Sequence, residues 1–268
     1  MAPSLELIWE GQHQPSLDEV TTAQIGRVTL GVYGGHRGAG AHKNEDAAVI
    51  WDDPDGAWTF AAVLDAHGTS DSAQLVVQLL IDGQRQLTDA LNLPVGEAFS
   101  RLERALVGLL HSEDFRTACR ALQGETALLC CATKGPYLWW FSVGDCVAYL
   151  LHPELVSLGQ FALNQRQFFE WVGRVNGFEG ENATYTRGVR ALRTGRHHVL
   201  LVTDGLLEFG DRPFESPGRL AAVVTKARGP REAVEHLLRE VHAGEGRDSA
   251  TVIAWSLDNA QASPLPSS

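Results

Sequence analysis

Acidic residues beside small residues stand where four apolar runs of the chain end or begin. The runs are VLDAHG with Asp65, FSVGDC with Asp145, LVTDGL with Asp204 and GRDSATVIAW with Asp248, and a loop upstream adds Glu45 and Asp46. For any one of these acids, the ordinary interpretation is a turn or helix-cap carboxylate. Carboxylates gathered at equivalent edges of one sheet, however, crowd negative charge that only cations can neutralise.

Mg²⁺ and Mn²⁺ are the cations that this donor set favours, because they prefer octahedral oxygen coordination with several retained waters. A zinc site is not expected. The four cysteines form no CxxC pair, and Cys130 and Cys131 would point to opposite faces of a strand, which indicates buried free thiols. Two divalent ions roughly 3.5–4 Å apart activate a bridging water for in-line displacement at phosphorus. The residues alone therefore predict a metal-dependent hydrolase.

Two loops resemble other binding sites only in part. The glycine-rich stretch GGHRGAGAHKNED has Ala41 where a Walker A loop needs lysine, which excludes that phosphate-binding loop. The turn Asp53–Gly56 lacks the alternating oxygen ligands of a calcium-binding loop. It is instead typical of a hairpin turn, and this hairpin would bring Glu45 and Asp46 close to Asp65.

The order of predicted elements indicates the fold class. Strands are predicted at 5–10, 25–34, 47–52, 57–65, 125–133, 137–145, 146–152, 197–205 and 248–257, and helices at 69–90, 94–122, 217–227 and 230–243. Segregated runs of strands and helices favour an α+β fold with antiparallel sheet packed between helix pairs. We expect a single domain over 1–257, a cap or flap-like insertion near 153–195, and a disordered tail over 258–268.

The amino-acid composition and the net charge limit the classes of partner that the chain is expected to bind. The chain has 268 residues, of which 44% are hydrophobic, so there is enough material for a large core. Its net charge of -11 disfavours nonspecific binding to nucleic acid. The sequence MAPSLELIWEG lacks the features of a signal peptide, and no run approaches the roughly 18 apolar residues of a membrane span. We expect a cytoplasmic protein with no membrane partner; the oligomeric state cannot be inferred.

The acidic motifs also resemble those of a known family. The motifs NEDA at 44–47, LDAHG at 64–68, VGD at 143–145, TDG at 203–205 and DSATVI at 248–253 resemble, in order and spacing, those of bacterial metal-dependent protein phosphatases of the protein phosphatase 2C family. The resemblance covers roughly residues 26–256. It implies a four-layer α-β-β-α sandwich, with two antiparallel sheets flanked by helix pairs. It also implies hydrolysis of phosphoserine and phosphothreonine in proteins by a metal-bridging hydroxide.

The same resemblance implies a role for each site residue. Two Mn²⁺ or Mg²⁺ ions, with a possible third, would be held by Asp65 as the bridging ligand, the Ala66 carbonyl, Asp204, Asp248, Glu45 or Asp46, and, at a weaker third site with Asp204, Asp145. His67 would act as the general acid toward the leaving oxygen, a role that suits an imidazole near neutral pH. The alternative for His67 is a structural cap of the following helix.

Two departures from the family pattern leave the function open. Ala66 stands where the family has glycine, and Ala41 stands where it has the arginine that holds the substrate phosphate. Arg37 could replace that arginine, and Lys43 or His42 would do so less well because neither has a bidentate fork. The alternatives are a pseudophosphatase that binds a phosphorylated partner and a hydrolase of small phosphorylated metabolites.

Overall fold

The computed structural model describes residues 3–208 and 211–262, whose strands form two antiparallel sheets. The first sheet contains β1 (Leu5–Glu10), β4 (Ala47–Asp52), β5 (Trp58–His67), β6 (Glu125–Lys134), β7 (Tyr137–Val143), β9 (Val172–Gly173) and β10 (Thr186–Ala191). The second contains β2 (Val20–Ile25), β3 (Val28–Tyr33), β8 (Val147–Leu151), β11 (Gly195–Val202) and β12 (Ala250–Asn259). Their orders are β1-β4-β5-β6-β7-β10, with β9 beside β6, and β2-β3-β12-β11-β8.

Helices cover the outer face of each sheet. The first sheet packs against α1 (Asp71–Asn92), α2 (Val95–Leu110) and α3 (Glu113–Ala121), and the second against α6 (Pro217–Lys226) and α7 (Pro230–Ala243). The shorter helices are α4 (Pro153–Ser157) and α5 (Gly205–Glu208), and Arg37–Ala39 form one 3-10 turn. The predicted α+β class, with two antiparallel sheets between layers of helices, is confirmed.

The core divides according to the two-residue period of the strands. In β4, Trp51 faces the helices while Ile50 faces the second sheet. In β6, Cys130 and Cys131 divide in the same way, and both are buried free thiols as predicted. Because successive side chains point to opposite faces, a strand between a helix layer and a second sheet is apolar on both sides. This explains the continuous apolar runs that precede the acidic residues.

The helix predicted over 94–122 is two helices. It breaks at Ser112, whose backbone is extended and whose side chain accepts a hydrogen bond from the Phe115 amide at 3.3 Å. Serine followed by two acids is an N-cap signal, and it overrides the apolar periodicity that continues across it. The prediction of one continuous helix was therefore wrong, because the cap was not recognised.

Two strand boundaries also differ from the prediction. The strand predicted over 25–34 corresponds to β3. A further strand, β2, precedes it, and the chain turns between the two strands at Gly26, which has φ +51°. The edge strand β2 is half polar and gave no clear apolar alternation. The tail predicted from Asp258 begins too early, because Asp258 and Asn259 complete β12 opposite β11. Residues 263–268 of that tail lie outside the described residues.

The predicted insertion at 153–195 runs along the edges of both sheets. Leu163 and Phe161 make backbone hydrogen bonds to β8, at 2.8 Å to the Ala148 carbonyl and 2.9 Å from the Leu150 amide. Further on, β9 and β10 join the first sheet. Between these attachments the segment passes the ends of β7 and β11, where the acidic motifs lie. No helix among the described residues is long and apolar enough to cross a membrane.

Candidate active site

Five acidic side chains from separate strand ends meet at one end of the sandwich, between the sheets. They lie before β4, at the end of β5, after β7, after β11 and before β12, and are Asp46, Asp65, Asp145, Asp204 and Asp248. The first four are buried and Asp248 is partly buried. Antiparallel pairing places the end of one strand beside the start of its partner, which is why these positions coincide in space.

Two glycines allow the backbone to reach this arrangement. Gly144 has φ +88°, and a Cβ there would come within 2.6 Å of the Ala127 Cβ. A Cβ on Gly205 would come within 1.8 Å of the Ser249 carbonyl oxygen. Each glycine follows or precedes a site acid directly, so the close backbone approach at Asp145 and Asp204 depends on the missing side chain.

Asp46 is held by hydroxyl groups rather than exposed to a cavity. Thr251 donates to its Oδ2 at 2.6 Å, Thr203 donates to the same oxygen at 3.2 Å, and Ser249 donates to Oδ1 at 3.0 Å. Burial raises the pKa of Asp46 to about 7, against the lowering effect of the Thr251 hydrogen bond. This network ties the start of β4 in the first sheet to β12 in the second.

Asp65 lies at the centre of the cluster. Its Oδ2 accepts the Asp204 amide at 3.4 Å, and its Oδ1 is 3.8 Å from His67 Nδ1. Burial, followed by the charges of Asp46 and Asp204, raises the pKa of Asp65 well above its usual range. Burial and the neighbouring Asp145 and Asp248 charges raise the pKa of Asp204 to about 6. Carboxylates whose pKa values are raised by burial and by one another are typical of functional sites.

A cavity of about 270 Å³ opens beside the cluster. Its lining includes Gly40, Ala41, His42, Lys43, Glu45, Ala66, His67, Gly68, Arg247, Asp248 and Ser249. The Ala66 methyl packs with the helix-side core, so the substitution of glycine by alanine does not fill this space. Of the two candidate acids before β4, Glu45 lines the cavity and Asp46 does not.

His67 lies at the mouth of the cavity with its side chain 44% exposed. The ring packs edge-on against Trp171 of the 153–195 segment, with centroids 5.3 Å apart. Its position at the end of β5 follows directly from the LDAHG motif. The imidazole is thus oriented by one aromatic contact and by Asp65, with an edge open to a bound molecule.

Asp145 is paired with an arginine that sequence reasoning did not place at the site. Arg166 Nη2 lies 3.2 Å from Asp145 Oδ2 and 3.7 Å from Asp204 Oδ2. The other carboxylate oxygens, Asp145 Oδ1 and Asp204 Oδ1, are buried and have no hydrogen-bond partner. Buried carboxylate oxygens without a partner are rare in native proteins, which makes this pair an unusual feature of the site. No three His, Cys, Asp or Glu side chains within the described parts of the chain are arranged as a preformed metal site.

The arginine predicted to bind substrate, Arg37, is not brought to the cavity. It pairs with Asp18 at 2.8 Å through Nη1 and is exposed. Arg247, which directly precedes Asp248, lines the cavity instead and makes no hydrogen bond or ion pair with any described residue. Lys43 also lines it, with Nζ 2.7 Å from Glu45 Oε2. The sequence signal for Arg247 was its place directly before the fifth motif, next to a site acid.

The model of the stage II sporulation protein E family matches residues 55–258. The chain belongs to this family. The family is of the protein phosphatase 2C type, so the resemblance carried by the five motifs is confirmed. No curated protein sequence matches the chain.

Solved structures of bacterial phosphatases share the fold. PppA, a key regulatory component of T6SS in Pseudomonas aeruginosa, is 18% identical with a TM-score of 0.61, over 87% of this chain and 99% of that one. Phosphatase Stp1 from Staphylococcus aureus is 15% identical with a TM-score of 0.60, over 90% and 94%. The catalytic domain of PstP, in complex with two manganese ions, is 18% identical with a TM-score of 0.54, over 95% and 100%. At these identities the likeness concerns the fold.

Proposed function

We propose that the chain is a metal-dependent phosphatase that hydrolyses phosphoserine and phosphothreonine in protein substrates. The observation that carries the proposal is the convergence of five strand-end carboxylates next to a cavity that also holds a histidine and two cationic side chains. Arg166 offsets part of the charge of Asp145 and Asp204, and the mutual repulsion of the five carboxylates still favours bound cations. Family membership and the manganese complex of PstP support the same reaction class.

The donor atoms fit two divalent ions, Mn²⁺ or Mg²⁺, because all of them are oxygens. Asp65, Asp204, Asp248, Glu45 and the Ala66 carbonyl would hold them. Asp46, whose oxygens are already bound by three hydroxyls, would position β4 rather than bind metal directly. The ions would polarise the phosphoryl group and lower the pKa of a water molecule for in-line attack.

His67 would supply the proton to the leaving serine or threonine oxygen. It lines the cavity, and its exposed edge can reach a bound phosphate ester. Contact with Trp171 and proximity to Asp65 restrict the ring to a small range of orientations. A general acid must lie within hydrogen-bond reach of the oxygen that it protonates, and a fixed ring position serves that need.

The substrate phosphate would be bound by Arg247, assisted by Lys43, in place of the family arginine. The support is that Arg247 makes no side-chain hydrogen bond or ion pair with any described residue and that its Nε lies 3.8 Å from a Cβ built on Gly40, next to Ala41. A guanidinium binds a phosphate with two parallel hydrogen bonds. Ala41 also favours a second candidate, a pseudophosphatase module that binds a phosphorylated partner without turnover.

The expected setting is the cytoplasm, with no nucleic-acid or membrane partner. The net charge of -11 supports the expectation that the chain has no nucleic-acid partner. The cytoplasmic location stays a prediction.

The test is phosphate release from p-nitrophenyl phosphate and from a phosphothreonine peptide, with Mn²⁺ and with EDTA. We expect Mn²⁺-dependent turnover that Asp204→Asn abolishes. Asp258→Asn is the matched control, since Asp258 is an exposed strand acid paired with Arg196 at 2.8 Å, and it should retain full activity. Tight phosphopeptide binding with no turnover would support the pseudophosphatase instead.

A further inference from the structure

Arg166 places a positive charge among three carboxylates at the deep end of the cluster. Its Nε donates to the Asp145 carbonyl oxygen at 3.1 Å, and its Nη2 lies 3.2 Å from Asp145 Oδ2 and 3.7 Å from Asp204 Oδ2. Nη1 donates to Glu208 on α5. All three guanidinium nitrogens are therefore used, and the side chain is only 22% exposed.

The segment that carries Arg166 is fixed on both sides of it. The side chain of Asn164 donates to the Ser142 hydroxyl at 3.0 Å and to the Cys146 carbonyl at 2.8 Å, and it accepts the Ala148 amide at 2.8 Å. The Gln167 amide donates to the Gly144 carbonyl at 2.9 Å. These bonds anchor the segment to the turn that carries Asp145, so the guanidinium is directed at the acids rather than at solvent.

The guanidinium approaches the carboxylate oxygens that a divalent ion would need. Asp145 and Asp204 each use Oδ2 toward Arg166, and each leaves a buried Oδ1 without a partner. A divalent ion between these two carboxylates would lie within a few ångströms of the guanidinium, and the like charges would repel strongly at low dielectric. Arginine and metal ion therefore exclude each other at this position.

We propose that Arg166 is a built-in cation that fills the Asp145–Asp204 site and keeps a divalent ion out of it. This chain would accordingly neutralise one part of its acidic cluster with its own side chain and take up one ion fewer than the carboxylates could hold. The inference rests on the proposed function for the identity of the ion. It concerns only ion binding, so it can be tested without substrate.

The test is a count of Mn²⁺ ions bound to the full-length, metal-stripped protein, by isothermal titration calorimetry and by the electron paramagnetic resonance signal of free Mn²⁺. Arg166→Ala should bind one more Mn²⁺ per chain than wild type, and the gain should disappear in Arg166→Ala/Asp145→Asn. Arg166→Lys keeps the charge and should match wild type. Arg190→Ala is the control, because Arg190 lies in the same segment and its exposed side chain donates a hydrogen bond to Gln160 Oε1 at 3.3 Å, away from the acids.

Equal ion counts for wild type and Arg166→Ala would overturn the proposal, whether that count is zero, two or three. If the alanine variant fails to fold, Arg166→Gln gives the same reading, since it is neutral and can still donate to the Asp145 carbonyl. A chain with no phosphatase activity but with the predicted difference in ion count would refute the proposed function and leave this inference standing.

Discussion

Thr251→Val removes the shortest of the three hydrogen bonds that hold Asp46. The hydroxyl of Thr251 lies 2.6 Å from Asp46 Oδ2, and both residues are buried. Valine has the same shape as threonine, so the substitution deletes the donor without opening a cavity. Afterwards Oδ2 keeps only the longer bond from Thr203, at 3.2 Å, while Oδ1 keeps the bond from Ser249.

The expected loss follows from the charge on the acceptor. A hydrogen bond to a charged group contributes about 1.5–3 kcal/mol to the free energy of unfolding, and one to a neutral group about 0.5–1.5 kcal/mol. At roughly 2–4 °C per kcal/mol for a chain of this size, the larger figure corresponds to a fall in Tm of about 3–12 °C. Which figure applies depends on whether Asp46 is ionised in the folded, metal-free protein.

The pKa of Asp46 makes this loss depend on pH. Burial raises it from 3.8 to about 7, so between these values the unfolded chain ionises while the folded one stays protonated, and the folded state loses stability as pH rises. The Thr251 donor opposes that rise, so valine should raise the pKa further. At pH 6 Asp46 is protonated in both wild type and Thr251→Val, so the substitution lowers the free energy of unfolding only slightly. At pH 8.5 wild type has a hydrogen-bonded Asp46 carboxylate, so the same substitution lowers the free energy of unfolding much more.

The assay is urea unfolding in EDTA at pH 6 and pH 8.5, followed by circular dichroism. Thr225→Val is the matched control, because the Thr225 hydroxyl donates at 2.7 Å to the neutral carbonyl of Ala221 within α6. For this control we expect a loss near the lower end of the neutral range, about 0.5 kcal/mol, that is the same at both pH values, since its acceptor is neutral and partly solvated. A loss for Thr251→Val that is equal at the two pH values, or no larger than the control, would refute the reasoning.

Two further predictions concern the proposed phosphatase reaction. Arg247→Ala should lower kcat/KM for a phosphothreonine peptide by roughly 5–10-fold, a modest effect because the guanidinium is exposed and screened. Arg37→Ala is the comparison and should leave kcat/KM unchanged, because Arg37 is paired with Asp18. The reverse result would support Arg37 as the phosphate-binding residue, as predicted from the sequence. His67→Gln should lower kcat by roughly 100-fold for the peptide but far less for p-nitrophenyl phosphate, whose leaving group needs no proton; equal losses on both substrates would exclude the general-acid role.

The positions of the site acids could be predicted because each depends on local sequence alone. Asp65, Asp145 and Asp204 end apolar runs, and antiparallel pairing of those runs must bring their ends together. The same reasoning gave the antiparallel α+β class, whereas the two stacked sheets were implied by the family resemblance. It failed at Ser112, where a single capping residue divides a periodic stretch into two helices.

Residues that reach the site from loops could not be predicted in this way. Arg166 lies in a segment without periodicity, and its direction depends on the hydrogen bonds of Asn164 with the turn after β7. Arg247 directly precedes a motif, but nothing in the local sequence distinguishes a guanidinium that lines a cavity from one in solvent. A strand fixes the direction of its side chains by a period of two, whereas a loop does so only through tertiary contacts.

Arg247 and Arg166 both change how the loss of the family arginine at Ala41 should be interpreted. Ala41 removes a cation from the phosphate-binding side of the site, and the sequence alone suggests a loss of positive charge there. In the folded chain Arg247 lines the same cavity as Ala41, while Arg166 adds a charge on the opposite, metal-binding side. The positive charge around the acids is therefore redistributed, and phosphate affinity and ion count must be measured separately to tell whether catalysis was kept.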